Sequence, residues 1–229
     1  MGEQLLLDLR FRTALGRDDF LVAPSNESAV RLVDEWPQWP THSAILVGPA
    51  GCGKSHLAQV WQTRSQAAIA SAPLISKENL PNYFRDKALC IEDIAAGQFG
   101  ALMMFHALNL AQQEGGHVLL SSRFDPLSWQ VKLPDLASRL KALPLVYILS
   151  PDDALLRGIL VKQFADRQIV VDEAIISFMM LRMPRSAAAA RTLVAEIDRE
   201  AMIQKVEVTK PFLAKLMAKL ENPQLFTTL

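Results

Sequence analysis

One stretch of the chain carries residue types and spacing that can do chemistry without help from elsewhere. Gly48-Pro49-Ala50-Gly51-Cys52-Gly53-Lys54-Ser55 fits the pattern G-x-x-x-x-G-K-[ST] at every fixed position. Glycines at these positions let successive backbone N–H groups curl around phosphates at the start of a helix. Lys54 then reaches the terminal phosphates, and the Ser55 hydroxyl can ligate magnesium. His56 follows directly, where it can help to fix the helix start. An ordinary glycine turn would need neither the lysine, nor the apolar run Ala44-Ile45-Leu46-Val47 before it, nor the helical pattern after it.

A phosphate loop that works on a nucleoside triphosphate also needs an acid at the end of a second apolar strand, to hold magnesium directly or through water. Leu89-Cys90-Ile91-Glu92-Asp93 supplies one. The expected division gives Glu92 to the metal, beside Ser55, and Asp93 to the orientation of attacking water. Strands of this kind most often end in Asp followed by Asp or Glu. Here the first acid carries an extra methylene and the second lacks one, which would misplace both, so slow hydrolysis is expected.

These groups must be placed by a scaffold, and its outline is visible in the hydrophobic pattern. Five short apolar runs recur at His42–Val47, Ala67–Ala70, Ala88–Glu92, His117–Ser122 and Pro144–Leu149. Helix-length segments such as Ser55–Gln66 and Ala101–Gln113 separate them. Strands alternating with helices predict an α/β fold with a parallel five-stranded sheet covered on both faces. Upstream, Asn26 or Ser28 is expected to cap a helix that ends before Pro37. After Ser150-Pro151 the pattern changes to helices. The first has Pro151 at its first position and acids in its first turn, the second starts at Asp172, the third runs from Ser186 to Gln204 and the fourth starts near Thr209. The expected organisation is a tail over residues 1–10, a nucleotide-binding α/β domain over 11–150 and an all-α domain of four helices over 151–229.

Composition narrows the setting. Half of the 229 residues are hydrophobic, and 24 basic residues balance 24 acidic ones, which suits a soluble globular protein and argues against a nonspecific nucleic-acid binder. No apolar stretch is long enough to span a bilayer and the N-terminus does not read as a signal peptide, so a cytoplasmic protein with no membrane association is expected. Cys52 and Cys90 suit two buried thiols rather than a disulfide or zinc framework.

Several further segments resemble one family, the AAA+ ATPases of the DnaA branch, and within it the Hda-like regulators. Asp19-Phe20-Leu21-Val22 with Ser25-Asn26 resembles the segment that contacts adenine, so Phe20 and Val22 become candidate base contacts. Val118–Ser122 resembles the sensor-1 strand, with Ser121 or Ser122 in the polar role. Leu133-Pro134-Asp135-Leu136-Ala137-Ser138-Arg139-Leu140 resembles the arginine-finger helix, and Met183-Pro184-Arg185-Ser186 the start of the sensor-2 helix. Gln4-Leu5-Leu6-Leu7-Asp8-Leu9 is similar to the peptide by which such proteins occupy pockets on the DNA polymerase sliding clamp, through Gln4, Leu5, Leu7 and Leu9.

The resemblance implies the AAA+ version of the fold, in which the helical part is a lid, and ADP or ATP with Mg as ligands. It gives Arg139 the role of an arginine finger acting in trans and places Arg185 on the phosphates of the chain's own nucleotide. It implies the DnaA initiator and the clamp β subunit as partners: docked on the clamp, the protein would stimulate hydrolysis of DnaA-bound ATP and so inhibit DNA replication initiation. At most a weak ATPase of its own is expected. Because the sequence ends at Leu229, just after the helical lid, no sequence-specific DNA binding is expected. An arginine finger is an interface residue, so the resemblance also allows a homodimer. The alternatives are an autonomous ATPase of the helicase-loader type and a small-molecule P-loop kinase.

Overall fold

The computed structural model describes residues 16–97 and 99–221. The elements, in chain order, are helix α1 (Glu27–Asp34), strand β1 (Ser43–Val47), α2 (Lys54–Ser65), β2 (Ala68–Ser71), the short α3 (Leu80–Tyr83), β3 (Ala88–Ile94), α4 (Ala101–Glu114), β4 (His117–Ser122), α5 (Pro134–Ala142), β5 (Leu145–Tyr147), and then α6 (Asp153–Ala165), α7 (Glu173–Met180), α8 (Ala187–Gln204) and α9 (Lys210–Glu221). The strands form one sheet in the order β2-β3-β4-β1-β5, and every pairing is parallel.

Both faces of the sheet are covered, which is why its inner strands read as unbroken apolar runs rather than alternating ones. Ala44, Leu46, Cys90 and Leu119 pack with α1 and α2 on one face, around Val30, Val33, Leu57 and Trp61. Ile45, Val47, Leu89, Ile91, Val118 and Leu120 pack on the other, against Met104 and Leu108 of α4 and Leu136 and Leu140 of α5. The five expected strands are all present. β5 is shorter than its apolar run because it lies at the sheet edge and pairs with β1 alone.

Helices α6 to α9 close around a core of their own, including Leu160, Phe164, Met179, Val194, Ile197 and Leu213. The starts of α6, α7 and α8 are marked by side chains that satisfy free backbone N–H groups. Asp152 accepts from Leu155 N at 2.7 Å, Asp172 from Ile175 N at 2.8 Å and Ser186 from Ala189 N at 3.0 Å. The first of these corrects an expectation: Pro151 lies outside the helix, and α6 starts only after the Asp152 cap. Among the described residues no helix is long and apolar enough to cross a membrane. The peptide Gln4–Leu9 lies outside the described residues.

Candidate functional site

The phosphate loop leaves the C-terminal end of β1 and turns into α2, as the glycine pattern requires. Gly51 (φ 75°) and Gly53 (φ 115°) take left-handed conformations that disfavour any side chain. Gly48 passes so near the backbone that an added Cβ would sit 2.4 Å from Ile148 O. Lys54 is buried at the first position of α2, and its Nζ donates to the Gly48 and Pro49 carbonyls at 2.6 and 2.9 Å. The ammonium thus ties down the start of the loop at Gly48 and Pro49, while Ser55 stands exposed on the first turn. Cys52 is buried within the loop and burial pushes its thiol up, with Lys54 working the other way; burial raises Cys90 still further. Both are inert thiols.

The acid pair sits on a bulge. β3 pairs with β4 as Ile91 with Leu120 and then Ile94 with Ser122, so three steps on β3 oppose two on β4. The extra residue is absorbed by Asp93, which takes φ 57°. Glu92 continues the face of Cys90, the face that α2 covers, and its Oε1 is buried with no hydrogen-bond partner among the described residues. An orphaned carboxylate oxygen and a free serine hydroxyl are the hard oxygen donors that magnesium takes when phosphate and water complete its shell. Asp93 is turned away, exposed, to a separate cavity with Arg123 and Phe124.

On β4 the two serines divide. The Ser122 hydroxyl donates to Ile94 O at 2.7 Å and accepts from Phe124 N and Trp129 Nε1 at 3.0 and 3.2 Å, so it is spent on holding the strand end. Ser121 pairs in register with Leu46 of β1 and falls on the same face as Leu119, where Glu92 also lies.

A narrow cleft opens beside the loop, between it and the helices from 151 onward. Its walls include Phe20, Leu21, Cys52, Gly53, His56, Lys162 and Arg191. Asn26 holds the wall segment in shape: its Oδ1 accepts from Ala23 N and its Nδ2 donates to Leu21 O, both at 2.9 Å. Phe20 meets the His56 ring edge-on, with centroids 5.0 Å apart. Lys162 Nζ bonds Asp19 at 2.8 Å and thereby ties α6 to the same segment, holding the Asp19 carboxyl below its ordinary range. Burial lowers His56, which is therefore neutral near pH 7.

Two expected contacts are displaced. Val22 is half exposed and outside the cleft, where Leu21 takes the wall position instead. Arg185 is exposed and paired with Asp153 on α6, and is not among the residues that line the cleft. Arg191, which no motif marked, lines the cleft. No signal in the sequence set it apart, because its place on the wall follows from how α8 packs beside the loop.

The start of α8 rests on the phosphate loop: Ala188 N meets Gly51 O at 3.4 Å, and a Cβ on Gly51 would stand 3.0 Å from both Ser186 and Ala188. Gly51→Ala should therefore cost roughly 1–2 kcal/mol, from the left-handed backbone and the forced separation. Urea denaturation of the variant measures this, and an unchanged midpoint would mean that α8 does not pack on the loop in solution.

Arg139 lies elsewhere. On α5 it bonds Gln112 Oε1 at 3.1 Å, and its guanidinium lies 5.3 Å from the centre of the Phe105 ring. It shares a cavity with His42 and Ser43, at the N-terminal end of β1. The phosphate loop leaves the other end of that strand.

No protein-family model matches the chain, and no curated protein matches it in sequence. Solved structures do resemble it. Domain III of the replication initiation protein DnaA from Thermotoga maritima superposes with a TM-score of 0.75 at 17% identity, over 90% of this chain and 95% of that one. AMPPCP-bound DnaA from Aquifex aeolicus gives 0.68 at 18%, over 81% and 65%. The RuvB Holliday junction branch migration motor of Thermotoga maritima gives 0.63 at 16%, over 84% and 66%. The chain thus has the fold of the DnaA AAA+ module, a fold that RuvB shares.

Proposed function

We propose that this chain is an adenine-nucleotide-binding regulator of replication initiation that activates hydrolysis of ATP held by DnaA. Its partners are DnaA and the sliding clamp, and its own nucleotide, ADP or ATP with Mg, is a structural ligand that sets the angle of the helical lid over the sheet. The observation that carries the reading is the position of Arg139. β1 rises about 3.3 Å per residue, so its ends stand roughly 13 Å apart, and a side chain at the Ser43 end is badly placed for phosphates at the Gly48 end. A guanidinium on that side is available to a neighbouring molecule's nucleotide, as an arginine finger must be.

In this reading the Gly48–Gly53 backbone, Lys54 and His56 hold the phosphates, while Phe20 and Leu21 flank the base. Ser55 and Glu92 would hold magnesium, which would neutralise phosphate charge, and Ser121 takes the sensor-1 place. The lack of fit at Asp93, held in a left-handed bulge and turned toward Arg123, supports weak turnover by the chain itself. The rival reading, an autonomous motor, draws on the fold shared with RuvB, but it needs a residue in Asp93's position to orient water.

Docking on the clamp falls to Gln4, Leu5, Leu7 and Leu9. A Gln4→Ala, Leu7→Ala variant should lose binding to clamp loaded on DNA, measured by surface plasmon resonance, and lose the clamp's enhancement of DnaA-bound ATP hydrolysis. Retained binding would remove the clamp from the account.

A further inference from the structure

The neighbouring helix α4 holds the guanidinium on which the proposed activity rests. Arg139 Nη1 donates to Gln112 Oε1 at 3.1 Å, and the guanidinium carbon lies 5.3 Å from the centre of the Phe105 ring. Phe105 and Gln112 are two helical turns apart on α4, so both stand on the face beside α5. Arg139 is thus held at two points along one helix, and both points are neutral. None of the residues that share its cavity, Gln112, His42 and Ser43 among them, is an acid.

The neutrality of this rest decides what it can do. A carboxylate in the place of Gln112 would pair with the guanidinium and compete with phosphate for the same fork of donors. An apolar side chain there would leave the guanidinium with the ring alone. An amide oxygen lies between these limits, because it offers one directional acceptor without a charge. Resting on the arginine-finger reading above, we infer that Gln112 is a positioning residue that holds the finger in reserve: its amide keeps Arg139 back on α4 until a neighbouring molecule's triphosphate competes for the guanidinium. The finger then acts only in the fraction of molecules in which it has left this rest, and the stimulated rate scales with that fraction. Gln112 acts through Arg139 alone.

Single-turnover hydrolysis of DnaA-bound ATP, followed at rising concentrations of the full chain with clamp loaded on DNA, separates release of the finger from docking. Gln112→Leu should raise the maximal rate about two- to fivefold, the population held back by one partly exposed hydrogen bond to a charged group. Gln112→Glu should lower the maximal rate by about two- to fivefold, and part of that loss, relative to the parent at the same salt, should disappear as salt screens the new ion pair. The half-saturating concentration should stay within about twofold of the parent for both, since docking precedes release. In an Arg139→Ala background neither substitution should alter the residual rate. Loss of structure does not produce opposite signs from two substitutions of one exposed residue. Maximal rates that match the parent, that move in the same direction, or that still respond when Arg139 is alanine would overturn the inference. A change confined to the half-saturating concentration would overturn it too, and make Gln112 a docking contact. Stimulation that survives Arg139→Ala itself would overturn the arginine-finger reading, and this inference with it.

Discussion

Arg139→Ala should reduce the stimulated hydrolysis of DnaA-bound ATP by about a thousandfold or more, the size of effect that an arginine finger has on phosphoryl transfer. The guanidinium acts by neutralising charge that develops on the transferring phosphoryl group, and a methyl group supplies none of this. Arg139 is held by Gln112 and the Phe105 ring in this structure, so it must leave both to reach another molecule's nucleotide. Each contact is partly exposed and is worth little against a bidentate bond to phosphate. Arg139→Lys should recover little, since an ammonium keeps the charge but not the planar fork. Affinity of the variants for ADP serves as the control, because α5 contributes nothing to the cleft beside the phosphate loop. Stimulation within a few fold of the parent in single-turnover assays would remove Arg139 from the mechanism.

The second large effect is expected at Lys54. Lys54→Ala should weaken ADP and ATP binding by about a hundredfold, as befits the loss of charge-assisted hydrogen bonds to phosphate. The lysine is buried at the first position of α2 and currently bonds the Gly48 and Pro49 carbonyls. On nucleotide binding it is expected to exchange those acceptors for phosphate oxygens. Calorimetry with ADP reads the change directly. An unchanged dissociation constant would mean that the loop is not the phosphate site.

What could be read from the residues alone was whatever depends on short separations. The strand, glycine turn and helix at 44–66 are local, and each constraint there falls within a few residues of the next. The same holds for the caps at Asp172 and Ser186. Pro151 misled because proline suits both the first helical position and the position just before a cap, and only the Asp152 bond to Leu155 N distinguishes them. Long-range placement was not legible. Arg191 joins His56 in one cleft although 135 positions separate them in the chain, and nothing in its neighbours distinguished it from Arg182 or Arg199. The bulge that divides Glu92 from Asp93 arises from pairing with β4, which the acid pair itself does not encode. Ser121 and Ser122 were equivalent in sequence and separate only once Trp129 and Ile94 claim the second hydroxyl.

The most direct test is to follow hydrolysis of ATP already bound to DnaA, with and without this protein, and with and without sliding clamp loaded on DNA. The account predicts rapid loss of DnaA-bound ATP only when both the protein and the loaded clamp are present, together with slow turnover by the protein alone. Hydrolysis at the basal DnaA rate in all four mixtures, alongside brisk turnover by the protein itself, would contradict it and identify an autonomous ATPase.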